Sequence, residues 1–225
     1  MVFPPIAAAF SAAVTAVSSI GPAVAGFCTQ VLPKLAPLLT QGLEALKEVA
    51  KIANTVMQIV DIFKTGETVD DIGDRAMQAA EQGITPDKFS DYDQYVDELR
   101  SFELDEDKSA KASPMQKIVS GLAVASAALD EKLNAPEGTA GGLWVLAGTG
   151  PDYFNADRLT QFLKAGQDVR SIIDYFEGKM GGAESLDVED ELVALDKAAA
   201  PEEDEQSIRT QIYGAADTVQ NRAHS

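Results

Sequence analysis

One cysteine and one histidine are all the thiol and imidazole chemistry that this 225-residue chain possesses. Cys28 has no second cysteine for an internal disulfide, and with only His224 beside it no zinc or iron–sulfur ligand set can be assembled. Nucleophilic catalysis needs a base within hydrogen-bond reach of a Ser or Cys, and a penultimate histidine is badly placed to be that base. Cys28 sits in an apolar run with no cation before Lys34, an environment that raises a thiol pKa and leaves it inert. No catalytic residue, metal site or cofactor is therefore expected.

Aromatic residues are also scarce, at 7% of the chain, and the sole tryptophan, Trp144, follows Gly141-Gly142. A sugar-stacking or base-stacking platform lacks material, and Trp144 is expected to be a core anchor. The third shortage is positive charge: 18 Lys and Arg face 36 Asp and Glu, for a formal charge of −18. That field repels nucleic-acid phosphates and anionic lipid headgroups alike, so no nucleic-acid partner is expected. An acidic surface of this kind serves solubility or meets a basic partner.

Motifs with catalytic or binding precedent are missing. Gly148-Thr149-Gly150-Pro151 lacks the Lys and Ser or Thr that complete a phosphate loop, and reads as a helix-ending turn. Glu103-Leu104-Asp105-Glu106-Asp107 lacks the central Gly and final bidentate Glu of a calcium loop. Carboxylate pairs at glycosidase separation carry no information in a chain with 36 acids.

What the chain does have is an opening segment without charge. From Val2 to Pro33 no side chain is ionised, and Ala, Val, Ser, Thr, Gly and Phe dominate. The stretch has the length of a bilayer span, but small residues outnumber Leu and Ile, and Gly21-Pro22 interrupts it. Pro4 and Pro5 set a first helical turn, Ala7 to Ile20 predicts one helix and Val24 to Leu32 a second. Some thirty uncharged residues cannot face water as one patch, so they are buried in the chain's own core or an oligomer, docked on another protein, or inserted into lipid. The side chains that would do the docking are Phe3, Ile6, Phe10, Val14, Val17, Ile20, Val24, Phe27, Val31 and Leu32. The start lacks a basic n-region and a clear cleavage site, so no standard signal peptide is expected. The expected location is cytoplasmic, or associated with a virion or a secretion machine.

Helical periodicity continues through the remainder. Leu38 to Lys64 predicts one long helix, Asp70 to Gln82 a shorter one ended by Gly83, and Ser90 with Asp93 opens another. Glu103 to Ala112 reads as a loop and a boundary between halves. Ser113-Pro114-Met115-Gln116 is a strong helix start, joining an N-cap, a first-turn proline and a capping-box glutamine. Asn155 caps a helix with Leu159, Phe162 and Leu163; Val169 to Lys179, Ser185 to Ala198 and Pro201 to Arg222 supply three more. The last has a narrow stripe of Ile208, Ile212, Ala215 and Val219 with acidic flanks, which suits a surface or partner-facing helix. Gly142 to Thr149 is read as helix, because a lone strand has nothing to pair with.

The expected fold is all-α, an irregular bundle of eight or nine helices, organised as an apolar N-terminal segment (1–33), an N-terminal half (34–103) and a C-terminal half (113–225). The expected function is a non-enzymatic structural or adaptor protein of a bacterial or viral assembly, docked or self-associated through the N-terminal helices. The alternative is a membrane-active protein, a small pore-former or secreted effector, that inserts those helices. A carboxylate-only hydrolase is the third reading.

Overall fold

The computed structural model of the protein describes residues 6–223, and every regular element among them is helical. There are twelve α-helices among these residues, more than the eight or nine expected. The chain divides into two compact units, Met1–Gly148 and Thr149–Ser225.

The first unit opens with α1 (Ile6–Ile20), a 3-10 turn (Pro22–Val24) and a π turn (Phe27–Val31) that leads directly into α2 (Leu32–Gln41). Gly42, at φ +109°, then ends α2 and starts α3 (Leu43–Ile59). The continuous helix predicted over 38–64 is thus broken, since this left-handed backbone is one that glycine adopts at little cost. Next comes α4 (Val69–Glu81), with Thr68 accepting from the Asp71 N–H at its N-cap. In α5 (Tyr92–Ser101) the cap is Asp91 rather than Ser90, whose hydroxyl donates to the Asp91 carboxylate.

The segment read as a loop contains a six-residue helix, α6 (Glu106–Lys111). Asp105 caps it, acids fill its first turn and Lys108 and Lys111 its last, the arrangement that complements a helix dipole. Gln78 exchanges two hydrogen bonds with the Asp105 backbone, at 2.9 and 3.3 Å, so this stretch lies inside the first unit.

The centre of the unit is α7 (Pro114–Lys132), whose predicted capping box between Ser113 and Gln116 is formed. Every residue from Ile118 to Asp130 is buried, so over this stretch α7 has no solvent face, and the helix packs on α1, α3, α4 and α5. Its closest neighbour is α4. A Cβ on Gly73 would lie 1.9 Å from the Lys117 carbonyl oxygen, and one on Gly121 1.7 Å from that of Val69. The two glycines therefore let the helix backbones touch. The unit ends within the last turn of α8 (Gly141–Thr149), a helix as expected, in which Trp144 is fully buried and donates to Ser126 Oγ at 2.9 Å.

The second unit comprises α9 (Ala156–Lys164), α10 (Val169–Phe176), α11 (Gly182–Ala199) and α12 (Glu205–Ala223). Asn155 caps α9 as predicted. The core is aromatic: Phe154 and Phe176 meet edge to face at 4.7 Å, and Tyr153 packs on both. The α12 stripe of Ile208, Ile212, Ala215 and Val219 is buried.

Candidate functional site

The docking residues expected from the sequence divide sharply. Phe3 lies outside the described residues, and Ile6 is described by its backbone only. Phe10 and Val14 are half-buried, whereas Val17, Ile20, Val24, Phe27, Val31 and Leu32 are in the first unit's core. The reason is the partner helix: α7, whose buried stretch is mostly Val, Ala, Ser and Leu, packs on α1 and the π turn, and small residues permit close packing. An interface made directly of those six side chains is not presented by this arrangement.

The same helices present a second face. Ala8, Ser11, Thr15 and Ser18, spaced by three and four, are exposed along α1, and Ala25 and Thr29 follow them. All six are small and uncharged. Cys28 is half-buried nearby, with Ser18 Oγ 3.9 Å from its sulfur, and burial raises its thiol pKa despite that contact. It is not an activated nucleophile.

One cluster has the residue types of a serine–lysine hydrolase. Ser109 donates to Asp74, Lys117 Nζ lies 2.8 Å from Ser109 Oγ and 2.7 Å from Asp74, and Gln78 donates to Asp74 at 3.1 Å. Burial opposes ionisation of Asp74, but hydrogen bonds from Lys117, Ser109 and Gln78 outweigh it and hold the carboxyl below its ordinary range. Such a carboxylate is a weak base. The cluster is a clamp that fastens α6 and α7 to α4. Glu67 behaves similarly: burial raises its pKa, yet hydrogen bonds from Arg100 and the Lys64 N–H bring it below the ordinary value.

Asp130 is the buried acid that departs most from this pattern. Its two oxygens each accept a backbone N–H at 2.6 Å, from Gly138 and Ala140, so it closes the loop between α7 and α8. Burial nevertheless pushes its pKa up to about 6, against the pull of those donors. That loop is in turn fixed to the N-terminal segment, because Gln30 Nε2 donates to the Glu137 carbonyl at 3.2 Å. Among the described residues no group of three or more His, Cys, Asp and Glu is placed to hold a metal ion.

No protein-family description matches the chain, and neither a curated protein nor a solved structure shows significant similarity to it. Sequence reasoning missed a groove among Tyr175, Glu189, Tyr213 and Asp217 in the second unit. Its one legible signal was Arg209, Tyr213 and Asp217 at four-residue intervals on a helix.

Proposed function

We propose that the protein is a non-enzymatic structural or interaction component of a bacterial or viral assembly, docked through the outward face of its N-terminal helices. The observation that carries this reading is the contrast between that face and the rest of the molecule. In a chain of formal charge −18, the exposed side chains from Ala8 to Thr29 bear none. Acidic bodies repel each other wherever carboxylates meet, and a charge-free face of small residues is where two helical surfaces can approach closely. The simplest partner is a second copy of the chain.

Size-exclusion chromatography with light scattering tests this on the full chain. Wild-type protein at tens of micromolar should show at least twice the monomer mass, as expected of standard interfaces. The double variant Thr15→Glu, Thr29→Glu, altered at two exposed positions, should be monomeric with an unchanged circular dichroism spectrum. A wild-type protein that is monomeric throughout loses this reading.

A specific observation also favours membrane insertion. Pro22–Gln41 is the one helical stretch among the described residues long and apolar enough to cross a bilayer, and Lys34 is its only charge. In the folded chain less than half of it is buried. Flotation with neutral liposomes, before and after mild acidification, tests this alternative; protein that stays at the bottom of the gradient under both conditions excludes it.

A further inference from the structure

The second unit has a cavity of about 300 Å³ bounded by α10, α11 and α12. Tyr175 and Met180 form its apolar side, and Glu189, Tyr213, Asp217 and Gln220 its polar side. Gly178 keeps it open: at φ +69° it occupies a backbone region that suits glycine, and a Cβ there would press on the Gln220 amide at 3.0 Å. The Tyr213 hydroxyl donates to Glu189 Oε1 at 2.7 Å, which fixes the ring at the mouth while leaving it 46% exposed.

Charge around the cavity is unbalanced. Arg209 is shared by Glu189, Asp190 and Glu205, and Lys179 by Asp174 and Glu177. Arg170 adds one more cation, 3.6 Å from Asp174. Of the charged side chains, Glu189 and the exposed Asp217 line the cavity, and among the described residues no Lys or Arg does. Leu186, 59% exposed on α11 and next in sequence to the lining residue Ser185, and Tyr213 are two of the three exposed large hydrophobic side chains among the described residues.

An aromatic face next to an unbalanced carboxylate is the chemistry that receives a cation, and an exposed leucine on the same helix pair adds apolar contact. We propose that this groove docks a basic segment of a partner protein, taking one lysine or arginine side chain between Tyr213 and Asp217 and an apolar neighbour on Leu186. Charge complementarity with the acidic unit selects that partner. The inference goes beyond the N-terminal docking surface and does not depend on it.

The test is fluorescence anisotropy of the full chain with a labelled hexapeptide of alternating lysine and leucine. Ionic strength is set to about 0.15 M, where screening over roughly 8 Å suppresses the field of distant carboxylates. Tyr213→Ala and Asp217→Asn should each weaken binding about fivefold, whereas Glu202→Gln, an equal charge change at another exposed site, should weaken it less than about twofold. A peptide with every lysine acetylated should not bind. Equal effects of Asp217→Asn and Glu202→Gln, undiminished binding of the acetylated peptide, or no binding to wild type would each overturn the proposal. Tyr213→Leu, which keeps apolar bulk and removes the ring, replaces Tyr213→Ala if that variant loses helicity. Because this readout is confined to the second unit's groove, its failure leaves the light-scattering test of the N-terminal face unaffected.

Discussion

Replacing Gly73 with alanine inverts an ordinary rule. In an exposed helix interior this change gains about 1 kcal/mol, because alanine is the better helix former. Here the new Cβ would stand 1.9 Å from the Lys117 carbonyl oxygen, where a carbon–oxygen contact needs about 3.3 Å. The obstacle is backbone rather than a mobile side-chain tip, so relief requires α4 to move off α7 and to loosen the Asp74–Lys117 clamp beside the crossing. Overpacking of a rigid core costs about 1–3 kcal/mol and sometimes more, and a forced helix displacement belongs at the upper end. Subtracting the propensity gain leaves a net loss of about 2 kcal/mol. Urea unfolding followed by Trp144 fluorescence reads this well, since the only tryptophan is fully buried in the first unit. A thermal midpoint drop of roughly 4–8 °C should accompany it. Gly121→Ala should behave alike, its Cβ falling 1.7 Å from the Val69 oxygen. If either variant matches or exceeds wild-type stability, the close crossing of α4 and α7 is wrong.

Asp130 should give a pH dependence opposite to the usual acid denaturation. Its folded pKa, about 6, lies above the ordinary 3.8, so the folded state holds the proton more tightly. The stabilising contribution is full below about pH 4 and is lost as pH rises through 6. The stability of wild type relative to Asp130→Asn should therefore fall by up to about 1.4 kcal/mol per pH unit across that window, measured by urea titration at several pH values. Lys117→Met strands the buried Asp74 carboxylate and should cost about 3 kcal/mol in the same assay. Trp144→Phe leaves Ser126 Oγ without its indole donor and should cost about 1–2 kcal/mol, seen as a lower thermal midpoint by circular dichroism.

Local signals in this sequence were readable where they are stereochemical. The Ser113–Gln116 capping box, the Asn155 cap and the apolar stripe of α12 all take their expected forms. The break at Gly42 was harder to see, because apolar spacing runs through it and only the backbone angle records the stop. α6 was obscured by its own composition: Glu106-Asp107-Lys108-Ser109-Ala110-Lys111 has no apolar stripe, and it is held by its cap and by Gln78. The fate of the N-terminal segment depended on tertiary information. Burial of large apolar side chains such as Val17, Ile20 and Phe27 was dictated by the hydrophobic effect, but that α7 would pack on α1 and the π turn follows from the packing of helices far apart in sequence. The acidic groove was illegible for a similar reason, since Tyr175, Glu189 and Tyr213 come from three different helices.

Hydrogen–deuterium exchange of the full chain at two concentrations, one well below and one well above self-association, tests most directly where the molecule docks. Amides between Ala8 and Thr29 should exchange more slowly in the concentrated sample while those of α9 to α12 remain unchanged. Identical exchange of the N-terminal helices at both concentrations, or protection that appears only in the second unit, would contradict the account.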